Sequence, residues 1–336
     1  MSKQSAQDFI KDINAKINKE LGANTVMVLD DNKKAGNIDG VSSGSVMLNM
    51  ALSGSPKIGF ERGRIVEIFG PEQSGKTTLA TSCLVEAQKL GWPCGYVDAE
   101  HALDPKYFKK MGVDFQAMSF NQPDSGEQGL SVVEEMLKGG IPFIVVDSVA
   151  ALTPQSEIDG EFGKAQMGAQ ARMMSQAMRK LNARVSKSKA VIIFINQIRF
   201  KMGVMFGSNE TTPGGAALKF YASYRLEVRS PRGGAKKEKD LLTDKQVETG
   251  IESNVKVVKN KLYPPFKLAS YFIEYGKGID KEKDFFNYAN EFGAFKKDKG
   301  STAEILKIKG VSFTKKALQK KLQDEPDFIQ TVLGCL

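Results

Sequence analysis

From Arg64 to about Ser230, short apolar runs alternate with segments of helical spacing: RIVEIFG, TTLATSCLVEAQKLG, CGYVDAE, SGEQGLSVVEEMLKGG, FIVVDSV and AVIIFINQ follow one another. Runs that are apolar throughout read as strands buried on both faces, and parallel strands need helical crossovers. The pattern therefore predicts an α/β fold around a mostly parallel central sheet. Nearer the start, Phe9, Ile13 and Ile17 recur at steps of four with Ile10 and Leu21 beside them, an amphipathic helix that Gly22 can stop. Its apolar face packs either on the chain's own core or on a neighbouring subunit, with the polar stretch DDNKKAGN as a tether. Two stretches, residues 154–168 and 198–215, interrupt the strand-helix rhythm. Both are rich in glycine and polar residues, follow strand-like segments and exceed ordinary connections, so they are expected to be functional loops. Beyond Tyr275 the chain is Lys-rich and weakly patterned, with a helix expected near KKALQKKLQ. The expected division is residues 1–35, a core of 36–276 and a small α+β C-terminal domain of 277–336.

Composition narrows the chemistry. With 336 residues, 41% of them hydrophobic, the chain can bury a substantial core. No stretch approaches the roughly 18 consecutive apolar residues that span a bilayer, and the N-terminus lacks a secretory signal's apolar run. No membrane association and a cytoplasmic location are the expectations. Cys83, Cys94 and Cys335 lack C-x-x-C spacing, and a single histidine argues against His-rich metal sites and a Ser-His-Asp hydrolase. The net charge of +9 favours an anionic partner.

Gly70-Pro71-Glu72-Gln73-Ser74-Gly75-Lys76-Thr77 is a complete G-x-x-x-x-G-K-[ST] phosphate loop between an apolar strand and a helix, followed by Thr78. Glycines let backbone N–H groups curl around phosphates, and the helix N-terminus adds partial positive charge. Lys76 is placed to reach the β and γ phosphates of ATP, and Thr77 to hold Mg2+. Asp147 closes the strand FIVVDSV, where a buried carboxylate needs a cation or donors, and is the second metal-holding candidate. Glu100 follows the strand of CGYVDAE and is the candidate that orients the attacking water; His101 beside it reads as a structural or capping residue.

GPEQSGKTT, YVDAEHALDP, IVVDSVAALTP, MGAQARMMSQAMRKL, FINQIRFKMGVMFG, ETTPGGAALKFYAS and VKVVKNKLYPPF stand in one order over roughly residues 36–276. In that order and spacing the chain resembles the bacterial RecA recombinases. The resemblance implies a RecA-type ATPase core preceded by a polymerisation helix. Its implied function is a DNA-dependent ATPase that forms a helical filament on single-stranded DNA and pairs it with a matching duplex, served by loading or mediator proteins. It makes Glu100 the water-activating glutamate, Asp104 and Tyr107 the adenine contacts, and Gln197 the residue that senses the γ-phosphate. The two long loops become DNA contacts: Met167, Gly168, Arg172, Ser175 and Arg179 from the first, and Arg199, Lys201, Met202, Gly203, Val204, Gly214 and Gly215 from the second. Arginine and lysine neutralise phosphates, glycines approach the backbone closely, and apolar side chains wedge between bases. Lys259 and Lys261 would reach the neighbouring subunit's ATP, and Phe220 matches an interface residue, with a buried core aromatic as its alternative.

Residues 277–336 depart from the family's C-terminal pattern and end without an acidic tail, and Gln73 stands where serine is common. Regulation through such a tail is not expected, and the divergence would suit a phage-encoded member. A ring-forming hexameric helicase or remodelling ATPase on the same core is the alternative function.

Overall fold

A computed structural model describes residues 3–22, 25–26, 28, 39–161, 168–200, 209–231, 233–239, 246–297, 304–308, 311–325 and 328–335. The chain forms two compact units, Met1–Asp39 and Gly40–Leu336. The first contains the helix Lys3–Leu21, which ends where Gly22 turns left-handed at φ 106°. Its apolar residues Phe9, Ile10 and Ile13 remain exposed.

The second unit is built on a sheet of ten strands among the described residues. Six run parallel, in the spatial order Tyr224–Arg229, Arg64–Gly70, Val191–Gln197, Phe143–Asp147, Cys94–Asp98 and Met118–Asn121. On the Tyr224 side the sheet continues antiparallel through Gln246–Asn260, Leu268–Glu274 and Gly278–Ile279, and Ala235–Lys239 pairs with the outer half of the long strand. This is the mostly parallel α/β sheet that the apolar runs predict.

Successive strand residues face opposite sides, which is why the runs are apolar throughout. Val66, Ile68, Tyr96, Val145, Ile193 and Ile195 join one core with Leu79, Cys83 and Leu84 of the helix Lys76–Lys89. Ile65, Val97, Ile144, Val146, Ile192 and Phe194 join the other, with Leu130 and Val133 of the helix Gly126–Lys138 and Met174, Met178 and Leu181 of Ala169–Ser188. Register then brings four chain segments to one edge: Gly70 lies opposite Gln197, and Asp98 opposite Asp147. A ligand site is expected outside these carboxyl ends.

The C-terminal residues form the helices Lys281–Glu291, Lys315–Asp324 and Phe328–Cys335 and a three-stranded sheet. Their core of Phe285, Tyr288, Leu306, Leu318 and Val332 includes Val46, with Met47 and Met50 packed against it, from the helix Val46–Ser53. A polar contact joins the same elements: Asp284, 1% exposed, accepts from Ser45 Oγ at 2.7 Å and from the Val46 amide, satisfying the start of that helix.

Burial raises the Asp284 carboxyl from its ordinary 3.8 to about 7, against the pull of these hydrogen bonds. Because the folded value lies above the unfolded one, its contribution to stability is full below about pH 4 and is lost as the pH rises through about 7. Asp284→Asn removes the titration. The melting temperature of the wild type relative to this variant should therefore fall between pH 4 and pH 7; a difference independent of pH would contradict the assignment.

Candidate active site

Close packing sets the phosphate loop. At Gly70 an added Cβ would lie 2.0 Å from the Val228 carbonyl oxygen, so the chain can leave the sheet here only as glycine. Gln73 (φ 56°) and Gly75 (φ 91°) then take left-handed conformations that curl the backbone. Ser74 Oγ donates to the Pro71 carbonyl at 2.9 Å, and Ser253 Oγ donates to the Ser74 carbonyl at 3.0 Å. Pro71, Glu72 and Gln73 are exposed at the rim, while Ser74 and Lys76 are buried. Lys76 Nζ donates to the Pro71 carbonyl across the loop. Burial lowers its pKa, opposed by the charges of Asp147, Glu100 and Glu72.

Beside the loop, the ends of three strands form one hydrogen-bonded cluster. Thr77 Oγ1 donates to Asp147 Oδ2 at 2.9 Å, and Tyr96 OH donates to the same oxygen at 2.8 Å. Burial raises Asp147 to about 6; the Tyr96 and Thr77 hydrogen bonds pull it down, and the charges of Glu100 and Asp98 push it up. Ser148 Oγ and Gln197 Nε2 both donate to Glu100 Oε1, at 2.6 and 2.9 Å. Asp98, 2% exposed, accepts from the Ala102 and Leu103 amides and from Gln122 Nε2, fixing the turn that carries Glu100. His101 sits in that turn at φ 54°, its ring nitrogen 3.3 Å from the Pro123 carbonyl oxygen.

The structure thus brings together Lys76, Thr77, Asp147, Glu100 and Gln197. Among the described residues no group of three His, Cys, Asp or Glu side chains could hold a metal. The oxygens of Thr77 and Asp147 are hard donors too few to enclose a cation. That suits Mg2+, which keeps waters and phosphate oxygens in its shell.

A cavity of about 350 Å3 opens next to the loop, lined by Gly75, Thr78, Tyr107, Ile251, Ile273 and Tyr275 among others. Thr78 Oγ1 and Tyr107 OH lie 2.9 Å apart. An apolar slot with two tyrosines beside a phosphate loop has the size and character for a heterocyclic base. Asp104, by contrast, is exposed and caps the helix Pro105–Met111, accepting from the Lys106 amide at 2.8 Å. Ile273 and Tyr275 escaped the sequence reasoning because they arrive from an antiparallel strand far along the chain. Tyr96, Ser148 and Asp98 escaped it as well, although a tyrosine in a strand buried on both faces implies a partner for its hydroxyl.

Gln197 leads directly into the second long loop, whose ends pair as the short strands Arg199–Phe200 and Glu210–Thr211. The first loop contains the short helix Gln155–Ile158 and returns at Gly168, which caps the helix Ala169–Ser188 with φ 73°. Gln170 stitches the loops together: its Nε2 donates to the Val149 and Leu152 carbonyls, and its Oε1 accepts from the Gly214 amide at 3.2 Å. A Cβ on Gly214 would meet Val149 Cγ1 at 2.9 Å, and one on Gly215 would meet Ala171 Cβ at 2.8 Å. Packing therefore gives a reason for both glycines. Arg172, Ser175 and Arg179 share one helix face, with both arginines exposed, as is Arg199. Met167, Lys201, Met202, Gly203 and Val204 lie outside the described residues.

Lys259 and Lys261 do not join the phosphate-loop cluster. Lys259 lies opposite Arg225 in the sheet, and its Nζ donates to the carbonyls of Lys219 and Phe220 at 2.7 and 2.9 Å. Burial, with the charges of Lys261 and Arg225, lowers its pKa to about 8. Phe220 is 73% exposed, which removes the buried-core alternative for it.

Comparison with known proteins agrees with this geometry. The family model for the RecA N-terminal domain matches residues 8–280. The chain is 50% identical over 297 residues to Protein RecA of Thermotoga neapolitana, covering 88% of this chain and 81% of that protein. It is 50% identical over 297 residues to Protein RecA of Thermotoga maritima, covering 88% and 80%. Against Protein RecA of Agrobacterium fabrum it is 49% identical over 284 residues, covering 84% and 75%. With the family's sequence model spanning the whole phosphate-loop sheet, the chain belongs to the RecA family of recombinases.

Proposed function

We propose that the chain couples ATP hydrolysis to filament formation on single-stranded DNA, and that the filament carries out homologous pairing and strand exchange with duplex DNA. One observation supports the coupling above others: Gln197, the last residue before the second loop, donates to Glu100, the carboxylate that would orient the attacking water. An amide in that position can exchange this bond for one to a phosphate oxygen, linking the state of the nucleotide to the loop that follows.

In this mechanism the phosphate-loop amides and Lys76 bind the β and γ phosphates, and Glu100 orients the water for in-line attack. Mg2+, when bound, would neutralise charge on the phosphate oxygens, with Thr77 and Asp147 holding it. Tyr107 would stack on the base. Lys259 and Lys261 would act on the neighbouring subunit's nucleotide, stabilising charge much as an arginine finger does, with Phe220 at that interface. The exposed apolar face of the N-terminal helix would dock on a neighbour. Arg172, Ser175, Arg179, Arg199, Lys201 and the loop glycines would hold DNA mainly through its backbone, leaving sequence matching to base pairing. Such a protein would act in the cytoplasm, with loading or mediator proteins as further partners. No helix among the described residues is long and apolar enough to cross a membrane.

Hydrolysis measured with and without single-stranded DNA, beside electron microscopy of the same samples, tests the assignment. Wild type should show DNA-stimulated turnover and helical filaments; DNA-independent turnover without assembly would refute it. Lys76→Ala should abolish the turnover, whereas Glu100→Gln should lower kcat by about 10²-fold or more while keeping nucleotide-dependent filaments. Lys259→Ala should be inactive alone, yet mixing it with Lys76→Ala subunits should restore measurable turnover at junctions where each supplies what the other lacks. No restoration at any ratio would argue against action across the interface.

A further inference from the structure

The hydroxyl of Tyr96 has no task in the mechanism above. Its ring is core: 1% exposed in the strand Cys94–Asp98, edge-on to Phe108 at 5.2 Å and stacked with Phe120 at 6.4 Å. Phenylalanine would fill that space equally well. Tyrosine brings a polar group into an apolar layer, which costs stability unless the group is paired. Its partner is the buried carboxylate of Asp147.

The geometry of the pair is specific. Tyr96 OH and Thr77 Oγ1 donate to the same atom, Asp147 Oδ2, at 2.8 and 2.9 Å. One donor comes from the neighbouring strand and the other from the first turn of the phosphate-loop helix. With Thr77 alone, the carboxylate could rotate about its Cβ–Cγ bond and still keep its hydrogen bond. The second donor fixes its plane. Both of these side-chain donors engage Oδ2, which leaves Oδ1 to face a ligand. Thr77, by giving its proton to Oδ2, keeps its hydroxyl lone pairs for the same ligand.

We propose that Tyr96 is a positioning residue for the metal–nucleotide complex, its hydroxyl holding Asp147 so that Oδ1 and the Thr77 oxygen address one divalent cation. This rests on the assignment of Thr77 and Asp147 as the metal-holding pair. Tyr96 touches neither nucleotide nor metal. Its effect is orientation, the role that hydrogen-bonded partners of metal-binding carboxylates commonly play.

The test uses the full-length chain, a fluorescent ADP analogue as probe, and Mg2+ as the titrant. For Tyr96→Phe, the Mg2+ concentration giving half-maximal probe binding should rise about tenfold, equivalent to about 1.4 kcal/mol. Probe affinity in excess chelator should be unchanged. The rise in melting temperature when Mg2+ is added to the ADP-bound protein should shrink in parallel. Phe108→Leu, which loosens the same ring packing and spares the hydroxyl, should keep the wild-type Mg2+ dependence. Thr77→Ala should shift that dependence if the metal-holding assignment is right.

If Thr77→Ala shifts the Mg2+ dependence and Tyr96→Phe does not, the proposal is overturned and the assignment stands. A shift in neither removes the assignment and the proposal with it. If Phe108→Leu shifts it as far as Tyr96→Phe, or if Tyr96→Phe weakens probe binding equally in chelator, ring packing is the cause and the hydroxyl is not a positioning group.

Discussion

The structure turns on the cost of placing carboxylates at the end of a sheet that is apolar on both faces. Asp98, Glu100 and Asp147 sit at that edge, Asp98 and Asp147 almost fully buried, and a buried carboxylate without donors costs several kcal/mol. Each has donors. Asp98 takes two backbone amides and a glutamine, Asp147 takes two hydroxyls, and Glu100 takes a serine and a glutamine. The donors come from the phosphate-loop helix and from strand ends far apart in sequence. Meeting the electrostatic demand of the edge therefore locks the loop, the turn that carries Glu100 and the root of the second long loop into one frame.

The frame extends across the sheet. Asn196, next to Gln197, donates to Glu67 Oε1 and to the Pro213 carbonyl, so it ties the second loop's far end to the phosphate-loop strand. The other oxygen of Glu67, which is fully buried, accepts from Arg225 Nε. Arg225 lies opposite Lys259, which in turn holds the carbonyls of Lys219 and Phe220. With both oxygens occupied this buried carboxylate resists displacement, and removing Arg225 would leave its charge without an ion partner, which for a buried pair costs about 3–5 kcal/mol. The strand holding the phosphate loop is thus braced by Arg225, which also lies opposite Lys259, so the contacts reach from the phosphate-loop strand to the antiparallel side of the sheet.

The sheet and its site were legible in the sequence to different depths. Parallel strands buried on both faces announce themselves as unbroken apolar runs, so the core strands could be read directly. Gly70 to Thr77 was legible because close approach of backbone to phosphate tolerates few alternatives, and Glu100 and Asp147 because they stand at the ends of such runs, whereas Gln197 came only from the resemblance to the recombinases. The partners were not legible. Tyr96 and Glu67 sit inside runs where nothing in the local pattern reveals which way a side chain points, and their partners lie 51 and 129 residues away. Tyr275 and Ile273 come from an antiparallel addition whose register depends on the pairing of Gln246–Asn260 with its neighbours.

Asp104 shows why residue type and position do not by themselves fix a role. An aspartate one residue before a proline is a strong helix start, and the local backbone claims its carboxylate: it caps Pro105–Met111 while Tyr107, three residues further, lines the cavity. The two functions are compatible, because fixing the first turn of this helix sets the direction of Tyr107, and Thr78 then holds the tyrosine hydroxyl. A carboxylate at this position orients the cavity-lining Tyr107 by building the helix beneath it. Its influence on the cavity passes through backbone geometry, through the cap it makes with the Lys106 amide.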